Sequence, residues 1–124
     1  MEKNTDYQIS SSVNDGSLEI IITGKLTKGE HDKMSKEVMA LIDASSAKNM
    51  LLDVRNLMGR LSISETYERV RNYPSHIYRT HIAVVDIPEN SDYQSFHENT
   101  AVNAGMKLKF FTDIDAARAW LKSK

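Results

Sequence analysis

The stretch LLDVRNLMGRLSISETYERV, residues 51–70, carries the reading of the fold. With Asn49 and Met50 before it, the segment NMLLDV is a short apolar run broken only by Asp53 near its end. That pattern predicts a central strand buried on both faces of a parallel sheet. Ser62-Ile63-Ser64-Glu65 then reads as a capping box, in which serine and glutamate each satisfy a backbone N–H at a helix start. Ile63, Tyr67 and Val70 form an apolar stripe on that helix, and Pro74 marks its stop.

Outward from this unit the alternation continues. Upstream, YQISSSV places Tyr7, Ile9 and Val13 on one side, NDGS supplies an Asp-Gly turn, and LEIIITG follows. These predict a hairpin joining 7–13 to 18–23. TKGE, residues 27–30, reads as a first capping box, with Thr27 as the cap. Met34, Val38, Leu41 and Ile42 then recur at helical spacing to about Asp43. Downstream, HIAVVDI (81–87) is a second buried strand closed by Pro88. A helix from Asn90 or Ser91 follows, with Tyr93, Phe96, His97, Thr100, Ala101 and Ala104 on one face and Gly105 as its terminator. MKLKFF (106–111) alternates as a half-exposed strand. Thr112 to Asp115 cap a last helix carrying Ile114, Ala117, Trp120 and Leu121. The predicted order is ββαβαβαβα. It implies one α/β domain over 1–124, with a mixed, mostly parallel sheet, right-handed crossovers and an antiparallel first strand.

The order of these elements carries a resemblance. With Gly24-Lys25-Leu26-Thr27 before the first helix, Asp53 at the strand end and FTDIDAARAWL at the end of the chain, it resembles the STAS domain. The closer likeness is to the small stand-alone SpoIIAA-like bacterial proteins, also described as STAS/SEC14-like. The resemblance covers nearly the whole chain. It implies the SpoIIAA-like fold and a regulatory module that acts by binding, not by catalysis. Anti-anti-sigma factors of this family carry an Asp-Ser-Ser-Gly-type motif whose serine is phosphorylated. The equivalent place here reads Leu61-Ser62-Ile63-Ser64, without the preceding acid or the following glycine. Ser62 and Ser64 are therefore a candidate phosphorylation switch or a helix cap, and the capping box accounts for Ser62 with Glu65 in a single stroke.

Length and composition bound the remaining classes. A chain of 124 residues is 40% hydrophobic and 27% charged, with net charge −1. This is globular composition with no bulk drive toward nucleic acid or membrane. The absence of cysteine removes disulfides, thiol catalysis and thiolate-bound zinc. MEKNTDYQIS has no apolar signal core and no run is long enough to span a bilayer, so a soluble cytoplasmic protein without membrane insertion is expected. Five arginines (Arg55, Arg60, Arg69, Arg71, Arg79) cluster between 55 and 79. Residues 82–106 hold four acids and no lysine or arginine. Solvated faces account for such clustering; the functional alternative is self-association as a homodimer, or an acidic ligand.

Ligands of open α/β sheets bind beyond the carboxyl ends of the strands. That edge gathers Thr27, Asp53, Arg55, Asn56, Gly59, Arg60, Asp86 and Pro88, the first place to expect an anionic or apolar small ligand. Asp53 and Asp86 lack a third metal ligand at a recognisable spacing. His31, His76, His81 and His97 form no metal signature. No nucleophile elbow or glycine-rich phosphate loop is present, so neither an enzyme nor a cofactor is expected. RNYPSHIYRTH brings Tyr73 and Tyr78 near Arg71 and Arg79, which suits core packing first and a protein interface second. Tyr67, Tyr93, Phe96 and Trp120 are expected to fill a closed core; lining an acyl cavity is the alternative, which the methionine content favours slightly. The chain thus reads as a protein-binding module with an unnamed partner, or as a carrier or sensor of a small ligand.

Overall fold

The computed structural model describes residues 6–27 and 29–124; residues 1–5, Lys28 and the side chain of Ile63 lie outside that description. The predicted hairpin is present as β1 (Tyr7–Asn14) and β2 (Ser17–Lys25). Asp15 and Gly16 between them both adopt positive φ, the backbone that a two-residue hairpin turn requires. Tyr7 is buried and Ile9 partly so, but Val13 is 65% exposed, so the predicted stripe reaches the core only at its start.

Next come α1 (Glu30–Ala44), β3 (Asn49–Asp53), a two-residue β4 (Leu57–Met58) and α2 (Ile63–Arg69). A 3₁₀ turn over Ser75–Arg79 leads to β5 (His81–Val85), and α3 (Ser91–Asn103), β6 (Lys107–Phe111) and α4 (Ile114–Lys122) complete the order. The sheet runs β1-β2-β3-β5-β6. β1 is antiparallel to β2 and every other pairing is parallel. The expected α/β sheet is therefore present, with one strand added. β4 pairs with the end of β2, at Gly24 and Lys25, and is too short to leave a periodic pattern.

Alternation along the strands sorts side chains onto two faces. Ile20, Ile22, Met50, Ile82, Val84 and Leu108 face α1 and α3, where Val38, Ile42 and Ala101 meet them. Leu51, Ala83 and Val85 face α4 and pack on Ala117 and Leu121, with Trp120 and Phe111 at the margin. Two glycines hold the strand ends close to neighbouring backbone. A Cβ on Gly24 would lie 2.2 Å from the Asp6 carbonyl oxygen, and one on Gly59 would lie 2.4 Å from that of Leu26, each at a positive φ that disfavours side chains.

Two local expectations need correction, and a third is narrowed. Thr27 does not cap α1: its backbone N–H and its hydroxyl both donate to Glu30 Oε1, and the position just before the helix is Gly29. Half of a capping box survives, with the glutamate reaching back. α4 is capped from within the predicted 112–115 segment, by Asp113, whose carboxylate accepts from Asp115 and Ala116 N–H. Among the described side chains of α2, Thr66 is fully buried, whereas Tyr67 is 53% exposed, with the Arg71 guanidinium 3.8 Å from its ring centroid. Stacking on a cation at the surface replaces the packing expected of Tyr67.

Candidate functional site

The carboxyl edge of the sheet does not assemble as one site. Asp53 alternates with Leu51 onto the α4 face. There it accepts from Arg55 through the backbone N–H (3.1 Å), Nε (3.0 Å) and Nη2 (2.8 Å). Burial acts to raise the Asp53 pKa, but those hydrogen bonds and the Arg55 charge outweigh it and hold the carboxyl below its ordinary value. Asp86 is turned to the other face. It is fully buried, and its Oδ1 accepts from Arg60 Nη2 (3.0 Å), Ile87 N–H (2.8 Å) and Asn90 Nδ2 (3.1 Å). The two acids are separate ion-pair anchors. Among the described residues no three His, Asp or Glu side chains gather where a metal could sit.

Arg60 is committed as well. Its Nη1 donates to the carbonyls of Leu57 and Gly59, both at 2.8 Å, and its Nη2 reaches Val54 O at 3.1 Å. With Asp86 this pins the loop from β3 to α2 against the end of β5. The cluster of arginines is therefore not one basic face. Arg55 lies on the α4 side of the sheet, Arg60 on the other, and Arg69 pairs with Asp32 of α1.

Ser62 sits where the sequence places it. Its Oγ accepts from Glu65 N–H (3.2 Å), its own N–H donates to Glu65 Oε1 (2.9 Å), and Ser64 Oγ stands 3.4 Å from Ser62 Oγ. Both serines are exposed. Thr27 is tied to Glu30 and joins neither serine nor either acid.

The core beneath α1, α2 and α3 is not filled. A cavity of about 140 Å3 lies between these helices and the sheet. Its floor is apolar, with Met50, Leu52, Ile82, Val84 and Leu108; its roof includes Met34, Val38 and Met39 of α1; and Arg60, Arg69, Tyr73, Tyr93 and His97 also line it. The expected closed core is thus corrected. Of the four aromatics considered for the cavity wall, only Tyr93 belongs to it: Tyr67 is exposed, Phe96 is half-buried away from it, and Trp120 packs with Phe111 and His81 on the α4 face. Tyr78 donates its hydroxyl to Val70 O (2.7 Å) and packs against the core.

Burial sets the chemistry of the polar groups around this space. It pushes the Tyr73 hydroxyl up to about 12, against the opposing effect of Arg69. It pushes His97 down to about 4, with Arg60 adding to the shift, so that ring is neutral at physiological pH. His31 is lowered by burial and then by Arg69. The residues that sequence reasoning missed here are Arg69, Tyr73, His31 and His97. One signal for them existed. His31, Met34, Ser35, Val38 and Met39 fall on a single helical stripe, and four of the six methionines line the cavity. A second, larger hollow of about 220 Å3 lies between the hairpin turn and α4. It is walled by polar groups already joined to one another, Arg118 holding Glu19 through two 2.9 Å bonds.

A mixed, mostly parallel sheet with three helices over one face and one helix behind the other defines the architecture as α/β. The SpoIIAA-like family model matches residues 17–122, and the chain belongs to that family. Among solved structures it is similar to an anti-sigma factor antagonist from Mycobacterium paratuberculosis, at 12% identity over 98% of this chain and 99% of that one, with a TM-score of 0.64. It is also similar to an uncharacterised DUF3478-family protein with a SpoIIAA-like fold from Shewanella loihica PV-4. There the identity is 20% over 98% of each chain, with a TM-score of 0.61. No curated protein sequence matches. Among the described residues no helix is long and apolar enough to cross a membrane.

Proposed function

We propose that the chain is a non-enzymatic binding module that takes up a small apolar ligand with an anionic head, as a sensor or carrier. The observation that carries this reading is the cavity, apolar along the sheet and α1 and bordered by Arg69, Tyr73 and Arg60. An apolar pocket of this kind holds hydrophobic side chains apart, and that supports a guest that covers them. At about 140 Å3 it lies below the several hundred Å3 common for drug-sized ligands. A short acyl chain with a carboxylate or phosphate suits it better than a bulky ring system.

A second reading, a regulatory module that works through a protein partner or a homodimer, is supported by the family and by one surface feature. Met58 and Tyr67, 67% and 53% exposed, stand on the two elements that flank the Arg60 loop. Exposed large apolar side chains of this type commonly mark contact surfaces.

Native mass spectrometry of the full chain tests both readings. A one-chain species that retains a small extra mass, or gains one on adding octanoate, supports the carrier reading. The absence of both, with no rise in melting temperature in millimolar octanoate, overturns it. A two-chain species supports the partner reading.

A further inference from the structure

We propose that Arg69 is the residue that reads the ligand's anionic head, and that Asp32 occupies its guanidinium as an internal stand-in carboxylate until the ligand arrives. This inference rests on the cavity reading above. Arg60 also borders the cavity, but its guanidinium donates to three carbonyls and to the buried Asp86 carboxylate, so its charge is paired and four of its five N–H donors are used. Arg69 differs. Among the described residues its guanidinium makes a single hydrogen bond, Nη2 to Asp32 Oδ1 at 2.6 Å, which leaves the rest of the planar fork available.

The two ends of that pair are unlike. The Arg69 side chain is 21% exposed and borders the cavity, whereas Asp32 is 78% exposed on the outside of α1. An ion pair whose acid is in water contributes little. A carboxylate delivered from within the cavity would meet the same guanidinium with less competing water and with two-pronged geometry. Tyr73 supplies a second donor. Tyr73 lines the same space, its hydroxyl makes no hydrogen bond among the described residues, and it stays protonated because burial and not a base sets its acidity. Burial and then the Arg69 charge lower the pKa of His31, so the cationic ring is disfavoured beside the guanidinium. Exchange of Asp32 for the ligand requires no change in the charge on Arg69, only a change of partner.

Calorimetric titration of the full chain with octanoate and with octanol tests the assignment. These probes share an apolar tail and differ in the head. The wild type should prefer octanoate. Arg69→Met should lose that preference by about tenfold or more while still taking octanol, since a charge-assisted hydrogen bond is the term removed. Asp32→Asn, a surface change, should tighten octanoate by roughly two- to fivefold and leave octanol unchanged, because the competitor is gone. An Arg69→Met chain that keeps the preference, or an Asp32→Asn chain no tighter than wild type, overturns the assignment. Equal binding of the two probes by the wild type overturns it alone and leaves the cavity reading intact; binding of neither removes both.

Discussion

His97 shows what a buried titratable group contributes when it has no charge to offer. Its ring packs edge-on to Tyr93 and tilted to Phe110, at centroid distances of 5.5 and 5.3 Å, and its Nδ1 is buried without a hydrogen-bond partner among the described residues. Burial, then Arg60, lowers its pKa from 6.5 to about 4. Below the ordinary histidine range the unfolded chain therefore binds a proton that the folded chain does not. Stability from this group is complete above pH 6.5 and is lost as pH falls toward 4, by up to roughly 3 kcal/mol. His97→Gln should flatten the fall in urea-unfolding free energy between pH 7 and pH 4, whatever it costs in packing at pH 7. Equal falls for the variant and the wild type would show that the ring is not the titrating group. None of this was legible from the sequence, where His97 was only one member of an apolar helix face. Periodicity tells which way a ring points, not what stands opposite it. The Arg60–Asp86 bond was hidden for the same reason, since 26 residues separate partners that only the sheet brings together.

At the scale of elements, caps and turns are where local sequence speaks most plainly, and α2 is the clearest case. Serine and glutamate three residues apart predicted reciprocal bonds, and both are made. Because α2 has seven residues and roofs part of the cavity, the cap is a large share of its local stability. Ser62→Ala should lower unfolding free energy by about 1 kcal/mol, whereas Ser62→Asp, which keeps an acceptor and adds a favourable charge at the helix start, should be close to neutral. Denaturant melts of the two variants check this, and an unchanged midpoint for the alanine variant would remove the cap assignment. The same rule misplaced the cap of α1. The pattern from Thr27 to Glu30 satisfies the text of a capping box, yet the helix begins only at Glu30, so the threonine hydroxyl donates to the glutamate instead of receiving from the backbone. Short pairings such as β4 lie below the reach of any period, since two residues cannot alternate.

For the whole molecule, the fold was readable because most strands and helices carry a recognisable apolar pattern and the connections are short. The cavity was not. An apolar stripe on α1 and apolar runs in β3 and β5 establish that these surfaces face each other. Whether their side chains meet depends on how far the helix stands off the sheet, and no local pattern encodes that distance. Val38 tests the point, because it sits on the buried stripe of α1 and lines the space directly. In a filled core, Val38→Phe would force neighbouring side chains off their rotamers, at a cost of about 1–3 kcal/mol. Over a cavity of about 140 Å3 the added ring has somewhere to go. The variant should then stay within about 1 kcal/mol of the wild type in denaturant melts, because the overpacking cost is offset by void removed. If the cavity is the binding space, the same substitution should weaken octanoate uptake and abolish any increase in melting temperature that octanoate gives the wild type. A variant that is stable and still takes up octanoate at full strength would place the ligand elsewhere. One that unfolds at much lower denaturant would mean that α1 already sits tightly on the sheet.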